Sequence, residues 1–256
     1  MKKILLTVLF VLLLSGISFG STSSALSDDI FKDNNFLDDV LVTANYSYGC
    51  DKSDSYLDAT SISTLKFIYT NSKVANPFIE LGLHKYSSKQ NIFVKSGKKF
   101  VSLETEIETE SSLIYSFGLE KVLYKNSSDV KVFTIAKYSY CGSDVKSLKI
   151  DGIDLLSSSK NKVNFNYIDI ELCVGLPLFT MKDAEIFLYG GVAYKHSDYD
   201  AEYNISGEII SEKDNKDDIA PIIGISYKIN NNLFIDGKAE YNRKNIIGSI
   251  GLTAKF

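Results

Sequence analysis

The chain has 256 residues, with 28 Lys+Arg against 32 Asp+Glu and a formal net charge of −4. Apolar residues make up 45% of it, yet mean hydropathy is close to zero, and 16 Tyr and 15 Phe stand beside no Trp, 2 Met and only 3 Pro. Such an aromatic-rich, proline-poor composition favours strands over helices, and the acidic balance excludes nucleic acid as an expected partner.

At the N-terminus, Lys2 and Lys3 precede the apolar run Ile4 to Leu14, and Ser18 and Gly20 occupy −3 and −1 of a cleavage point after residue 20. A basic start, a short apolar core and a small-residue site make a secretory signal over residues 1–20. The competing reading, an uncleaved membrane helix, meets a run shorter than the ~20 residues a span requires. No Cys follows the apolar core, which speaks against a lipoprotein anchor. Removing residues 1–20 takes away two Lys and no acid, leaving 26 Lys+Arg against 32 Asp+Glu. A tail rich in Ser, Asp and Asn follows at 21–37.

From residue 38 onward the dominant signal is period two, one face apolar and the other polar. Val40, Val42, Ala44, Tyr46 and Tyr48 alternate with Leu41, Thr43, Asn45 and Ser47. Ile79, Leu81 and Leu83 alternate with Glu80, Gly82 and His84, and Tyr115, Phe117 and Leu119 with Ser116, Gly118 and Glu120. Ile168, Ile170, Leu172 and Val174 alternate with Asp169, Glu171, Cys173 and Gly175, and Ile223, Ile225 and Tyr227 with Gly224, Ser226 and Lys228. Leu233, Ile235, Ala239 and Tyr241 repeat the pattern, and Asn245–Phe256 carries it to the last residue. Ten strands are predicted, near 38–49, 57–71, 76–87, 111–124, 129–141, 163–175, 184–196, 219–229, 232–242 and 245–256, with eight as the alternative count. The second, fifth and seventh alternate least cleanly. Connections at Asn71–Val74, Lys125–Asp129 and Asn230–Asn232 are short, and Leu176–Asp183 holds Pro177. Those at 88–110, 142–162 and 197–218 are long and hydrophilic. Lys99–Glu110 keeps alternating into the fourth strand, and Ser96-Gly97, Asp151-Gly152 and Ser206-Gly207 supply turns, so the long connections are predicted as extended hairpins.

A period-two segment that runs to a C-terminal Phe256, with an export signal at the other end, resembles the outer-membrane β-barrel family. The resemblance spans most of 38–256 by pattern and is nearest to the opacity-protein and OmpA-transmembrane-like barrels. It implies an all-β, antiparallel up-and-down transmembrane barrel with extended extracellular hairpins, set in outer-membrane lipid. It also implies that Phe256 is the signal read by the barrel-assembly machinery, and that short turns face the periplasm and long loops face outside. An even strand count then returns Phe256 to the periplasm and leaves 21–37 as a periplasmic tail, slack or entering the barrel from below. Tyr46, Tyr48, Tyr69, Tyr138, Tyr140 and Tyr194 fall where interfacial girdles belong.

Strand glycines mark bends and crowded interiors, and the polar face sends Lys66, Glu80, Glu120, Lys131, Lys137, Asp169, Glu171, Asp236, Lys238 and Glu240 inward. Mixed signs in a narrow barrel favour a paired plug over an open lumen. Glu104, Glu106, Glu108 and Glu110 form an acidic ladder with ~6.8 Å between members. It reads as a face salt-bridged to lysines such as Lys146, Lys149, Lys160 or Lys162, or else as a face for a cation or ligand. Neither His84 nor His196 sits in a catalytic motif, so surface positions are expected and no catalytic, cofactor or metal site is assigned. Cys50 and Cys141 both emerge at the outer end, where export makes a disulfide chemically possible, although their strands are not neighbours. The functional reading is a non-enzymatic surface barrel for adhesion, envelope structure or contact with a host or extracellular ligand. The competing reading is a narrow porin-like channel for small solutes or cations.

Overall fold

The computed structural model describes residues 40–52, 56–70, 74–96, 99–156, 161–180, 185–205, 208–230, 232–242 and 245–255. The predicted signal at 1–20, the tail at 21–37 and Phe256 lie outside these. Twelve strands follow in order: β1 Val40–Lys52, β2 Tyr56–Tyr69, β3 Asn76–Ser96, β4 Lys99–Thr109, β5 Ser112–Lys125 and β6 Lys131–Ile150. Then come β7 Ile153–Asp154, β8 Lys162–Thr180, β9 Glu185–Ile205, β10 Glu208–Asn230, β11 Leu233–Asn242 and β12 Asn245–Lys255.

Ten of them close a ring, in the order β1, β2, β3, β5, β6, β8, β9, β10, β11 and β12, all antiparallel. The seam runs from Leu41 opposite Lys255 to Asp51 opposite Asn245. Thr43 and Thr253 share a hydroxyl–hydroxyl hydrogen bond of 2.9 Å beside it. Closure leaves no sheet edge within the ring, which a barrel in lipid requires.

Period two sorts the side chains. Leu81 is 55% exposed on the outer face while its neighbour Glu80 is 4% exposed inside. Apolar outside and charged inside inverts the rule for a water-soluble protein and is the arrangement of a bilayer-spanning barrel. Tyr115 faces Tyr140 and Phe117 faces Tyr138 across β5 and β6, with ring centroids 5.2 Å apart in each pair. The ten inward residues predicted from the sequence all lie on lumenal positions of their strands. Lumenal glycines make room for rings: a Cβ at Gly118 would collide with Phe78, and one at Gly224 with Tyr189.

At one end the strands are joined by short turns. In one of them Asn126 Oδ1 accepts from the Ser128 and Val130 amides at 2.9 Å each, and Asp129 takes φ 57°. At the opposite end three hairpins rise beyond the ring, as predicted. β4 and β5 form one descending line that breaks at Glu110–Ser111 and is held there by the Glu110 amide donating to the Asp144 carbonyl at 2.9 Å. β4 occupies the space between the upper parts of β3 and β6. Asp151 and Gly152 have φ 49° and 78°, between paired Ile150 and Ile153. Positive φ at both central residues is the geometry of a tight hairpin turn. One boundary differs from expectation: β8 continues through Pro177 to Thr180, with its register against β9 shifting between Pro177 and Phe179. A bulge tolerates a residue that has no amide donor.

The rim is therefore uneven. β3, β4, β6, β8, β9 and β10 build a tall wall, whereas β11, β12, β1 and β2 end lower. β10 pairs with β11 only from Ile222 downward, so from Glu208 to Pro221 that edge faces no strand among the described residues. Along this edge the Asn215 and Ile219 amides donate to the carboxylates of Asp214 and Asp218 at 2.9 and 3.0 Å.

Candidate functional site

The lumen divides into a filled half and a hollow half. Near the turn end, Leu41, Ile68 and Phe78 form one buried apolar group, and Phe133, Phe187, Tyr189, Ile222 and Cys173 belong to another. Phe133 and Tyr189 meet edge to face at 5.8 Å. Between the groups, Lys66 pairs with Glu120, both essentially inaccessible to solvent, and Lys66 Nζ sits 3.9 Å from the centroid of the Phe78 ring. Lys131 Nζ lies 5.5 Å from the Phe187 ring.

At mid-height the charges link across strands. Lys238 Nζ lies 2.6 Å from Glu171 Oε1 and 2.7 Å from Glu240 Oε1. Glu240 also pairs with Lys195, which reaches Asp169 Oδ2 at 3.7 Å. Across the lumen Lys137 Nζ lies 3.6 Å from Glu80 Oε2, and Asn45 donates weakly to Glu80 Oε1 at 3.5 Å and to Thr64 at 3.2 Å. Partnering of this kind is what lets charges persist away from water.

Above this layer is a cavity of about 490 Å³, the size of many small-molecule sites. Its floor is the ion network, with Glu80, Lys137, Asp169 and Lys238 among the lining residues. Small residues of the low wall, among them Ser47, Gly49, Thr60 and Ser249, line one side. Aromatic residues of the tall wall line another. Phe165 is the hub there, 5.3 Å from Tyr86, 5.6 Å from Tyr199 and stacked on Tyr167 at 6.1 Å.

His84 is not at the surface. It is fully buried on the lumenal face, 4.9 Å from Phe165, with Nε2 3.3 Å from the Tyr167 hydroxyl. The expected exposure fails because the polar face of β3 is the interior. His196 sits on the outer face just beyond the apolar band, with Nδ1 2.8 Å from Asp217 and Nε2 3.1 Å from Asp198. Tyr194 donates to the same Asp217 oxygen at 2.6 Å. The Asp217 hydrogen bond raises the imidazole pKa, and the bonds from Tyr194 and His196 lower that of Asp217. Among the described residues the histidines bond to Tyr167, Asp198 and Asp217, and to no serine or cysteine. Among the described residues no cluster of His, Cys, Asp and Glu converges on a metal position.

The acidic ladder lies on the outer face of β4 against lysines. Lys89 bridges Glu104 at 2.6 Å and Glu106 at 2.9 Å, while Glu108 is met by Lys85 at 2.7 Å and Lys146 at 3.5 Å. Hydrogen bonds from Lys89 and Lys85 hold Glu106 and Glu108 below the usual carboxylate range. Lys146 was among the partners expected from the sequence; Lys85 and Lys89, from the other arm of the same hairpin, were not. Glu110 marks the break between β4 and β5, where its carbonyl accepts from Ser143 at 2.9 Å. The Cys50–Cys141 disulfide is not formed. Cys50, Cys141 and Cys173 are free thiols, and β2, β3 and β5 separate the strands of Cys50 and Cys141. Cys141 packs in the lumen with Ile114 and Phe165.

No protein-family model and no curated relative matches the chain. Among solved structures it is similar to the translocator domain of the autotransporter NalP from Neisseria meningitidis, at 10% identity and TM-score 0.49, covering 91% of this chain and 93% of that one. It is also similar to the outer membrane protease OmpT from Escherichia coli, at 8% identity and TM-score 0.46, covering 88% and 100%. A third likeness is to Ail, the attachment invasion locus protein of Yersinia pestis, at 12% identity and TM-score 0.33, covering 84% and 95%. At these identities and scores, function has to be read from this chain's own residues.

Proposed function

We propose that the chain is an exported, non-enzymatic outer-membrane barrel whose lumen is closed on the periplasmic side and whose tall hairpins make surface contacts, in adhesion or in envelope structure. The observation that carries this reading is the filled lower lumen, where Phe133, Phe187 and Tyr189 pack beside the buried Lys66–Glu120 pair. Close packing of that kind among the described residues supports a lumen without a continuous water path. The hairpins add support, since they lift β3, β4, β6 and β8 to β10 past the ring and present a charged outer face. Orientation follows the barrel convention, with short turns inside and tall hairpins outside.

Planar-bilayer recording tests the reading. The refolded barrel is expected to stay electrically silent, and a steady open state would overturn it in favour of a narrow channel. A silent barrel that also fails to retain cells on host-cell or matrix-coated surfaces would leave the envelope-structural role and remove the adhesive one.

A further inference from the structure

The cavity above the ion network carries three features with no role in sealing the lumen. The first is a set of unmet acceptors. Asn45, 3% exposed, and Asp169 both line the cavity, and each keeps a buried Oδ1 without a hydrogen-bond partner just behind that lining. Buried polar atoms left unpaired are uncommon and costly. Both are acceptors, so the missing partner is an N–H or O–H donor. The second is charge. With Asp198 set aside because its carboxylate meets His196 on the outer face, carboxylates outnumber lysines six to four among the lining residues, and Glu212, Asp214 and Asp218 share the inner face of β10 near the mouth with Lys216. A low-dielectric cleft lined mainly by one sign concentrates the opposite ion. The third is the aromatic wall of Tyr86, Tyr167 and Tyr199, all partly exposed around Phe165. Aromatic faces attract cations and accept alkyl stems.

We propose that the cavity captures a small organic cation of the amine or guanidine class, its N–H donors directed at Asn45 Oδ1 and Asp169 Oδ1 and its carbon stem lying against Tyr86, Tyr167 and Tyr199. A bare metal ion uses neither the stem surface nor, among the described residues, any converging set of ligands. A dicarboxylate is repelled by the lining. A sugar needs acceptor and donor partners in comparable number, whereas the unmet groups are acceptors. The inference goes beyond the surface-contact reading and does not depend on it, because a barrel that adheres to nothing can still hold an amine.

The test is isothermal titration of the full barrel, folded in detergent micelles, with putrescine, arginine, glucose and glutarate as separate probes. Saturable heat is expected with putrescine or arginine, weakening as salt is raised, and none with glucose or glutarate. Asp169→Asn keeps the shape and removes the charged acceptor, and is expected to weaken the amine about tenfold or more, with the heat-modifiable gel shift of the folded barrel intact. Should that variant fail to fold, Glu212→Gln with Asp214→Asn alters only exposed side chains. It is expected to weaken binding about two- to fivefold and to flatten the salt dependence. Absence of saturable binding by both amines, equal or tighter binding of glucose or glutarate, or unchanged affinity in whichever of these variants folds would overturn the proposal. Conductance is a separate readout, so failure here leaves the closed-lumen reading standing or falling on its own test.

Discussion

The same strands build two different interiors. Toward the turns their lumenal positions hold Phe78, Phe133, Phe187 and Tyr189, and the space is filled. Toward the hairpins the same parity holds Asn45, Ser47, Gly49, Thr60, Ser116 and Ser139, and the space stays open. Strand number and tilt set one diameter for both halves, so side-chain volume at alternating positions decides whether the lumen is a plug or a vestibule. Charge plays a different part in each half. Below, Lys66 and Glu120 are locked in a solvent-free pair; above, the carboxylates that line the open space exceed the lysines.

The strongest way to break this contrast is to hollow the lower half. Phe133→Ala with Tyr189→Ala should cost about 3–5 kcal/mol for each truncation, less than additively because the rings touch. It should also turn a silent barrel into a conducting one, as read by urea unfolding in lipid vesicles and by bilayer recording. Glu120→Ala should leave Lys66 buried without its ion-pair partner and destabilise by about 3–5 kcal/mol without opening a path, which the same two measurements separate. At the seam, Thr43→Val leaves the Thr253 hydroxyl without its partner and should cost about 1–3 kcal/mol. The smallest effect is on the outer face. His196 has a raised pKa, so its pairing with Asp217 and Asp198 is fully present below the ordinary imidazole pKa and is lost as pH rises through the raised value. Amide protection in the β9–β10 hairpin, taken relative to the intrinsic base-catalysed exchange rate at each pH, should fall as pH rises from 6 through the raised His196 value, and His196→Gln should remove that fall.

Much of this was readable beforehand. Ten strands and the ten predicted lumenal charges follow from period two, because one-sided burial makes parity informative, and the alternation of short with long connections gathers the three long loops at one end. Lys195 was missed, and the reason is physical. In β9 the lumenal Phe187 and Tyr189 are as apolar as the outward Ile186 and Leu188, and Gly190-Gly191 adds no contrast, so the alternation that would have placed Lys195 inside is hidden. The plug itself is expected from the mixed interior charges, but its aromatic part, Phe133, Phe187 and Tyr189, is hidden for the same reason: a strand that is apolar on both faces has no period to detect. Lys85 and Lys89 became visible as partners of the acidic ladder only through register, which pairs Ser96 with Lys99 and brings Lys89 opposite Glu106. His84 was placed correctly on the polar face, but its neighbours Phe165 and Tyr167 come from a distant strand that parity alone does not bring near.

The unpaired stretch of β10 has a consequence for how these molecules live together. A naked strand is a template, and in a crowded membrane a neighbour's hairpin is the nearest thing to add to it. Here the template is already blunted. Pro221 offers no donor, the Asn215 and Ile219 amides are occupied by the aspartates that precede them, and the segment between carries a charge at nearly every position. The hairpin can stand tall above the low wall and still remain a ribbon, because its bare edge is built to resist the addition of a neighbour's strand.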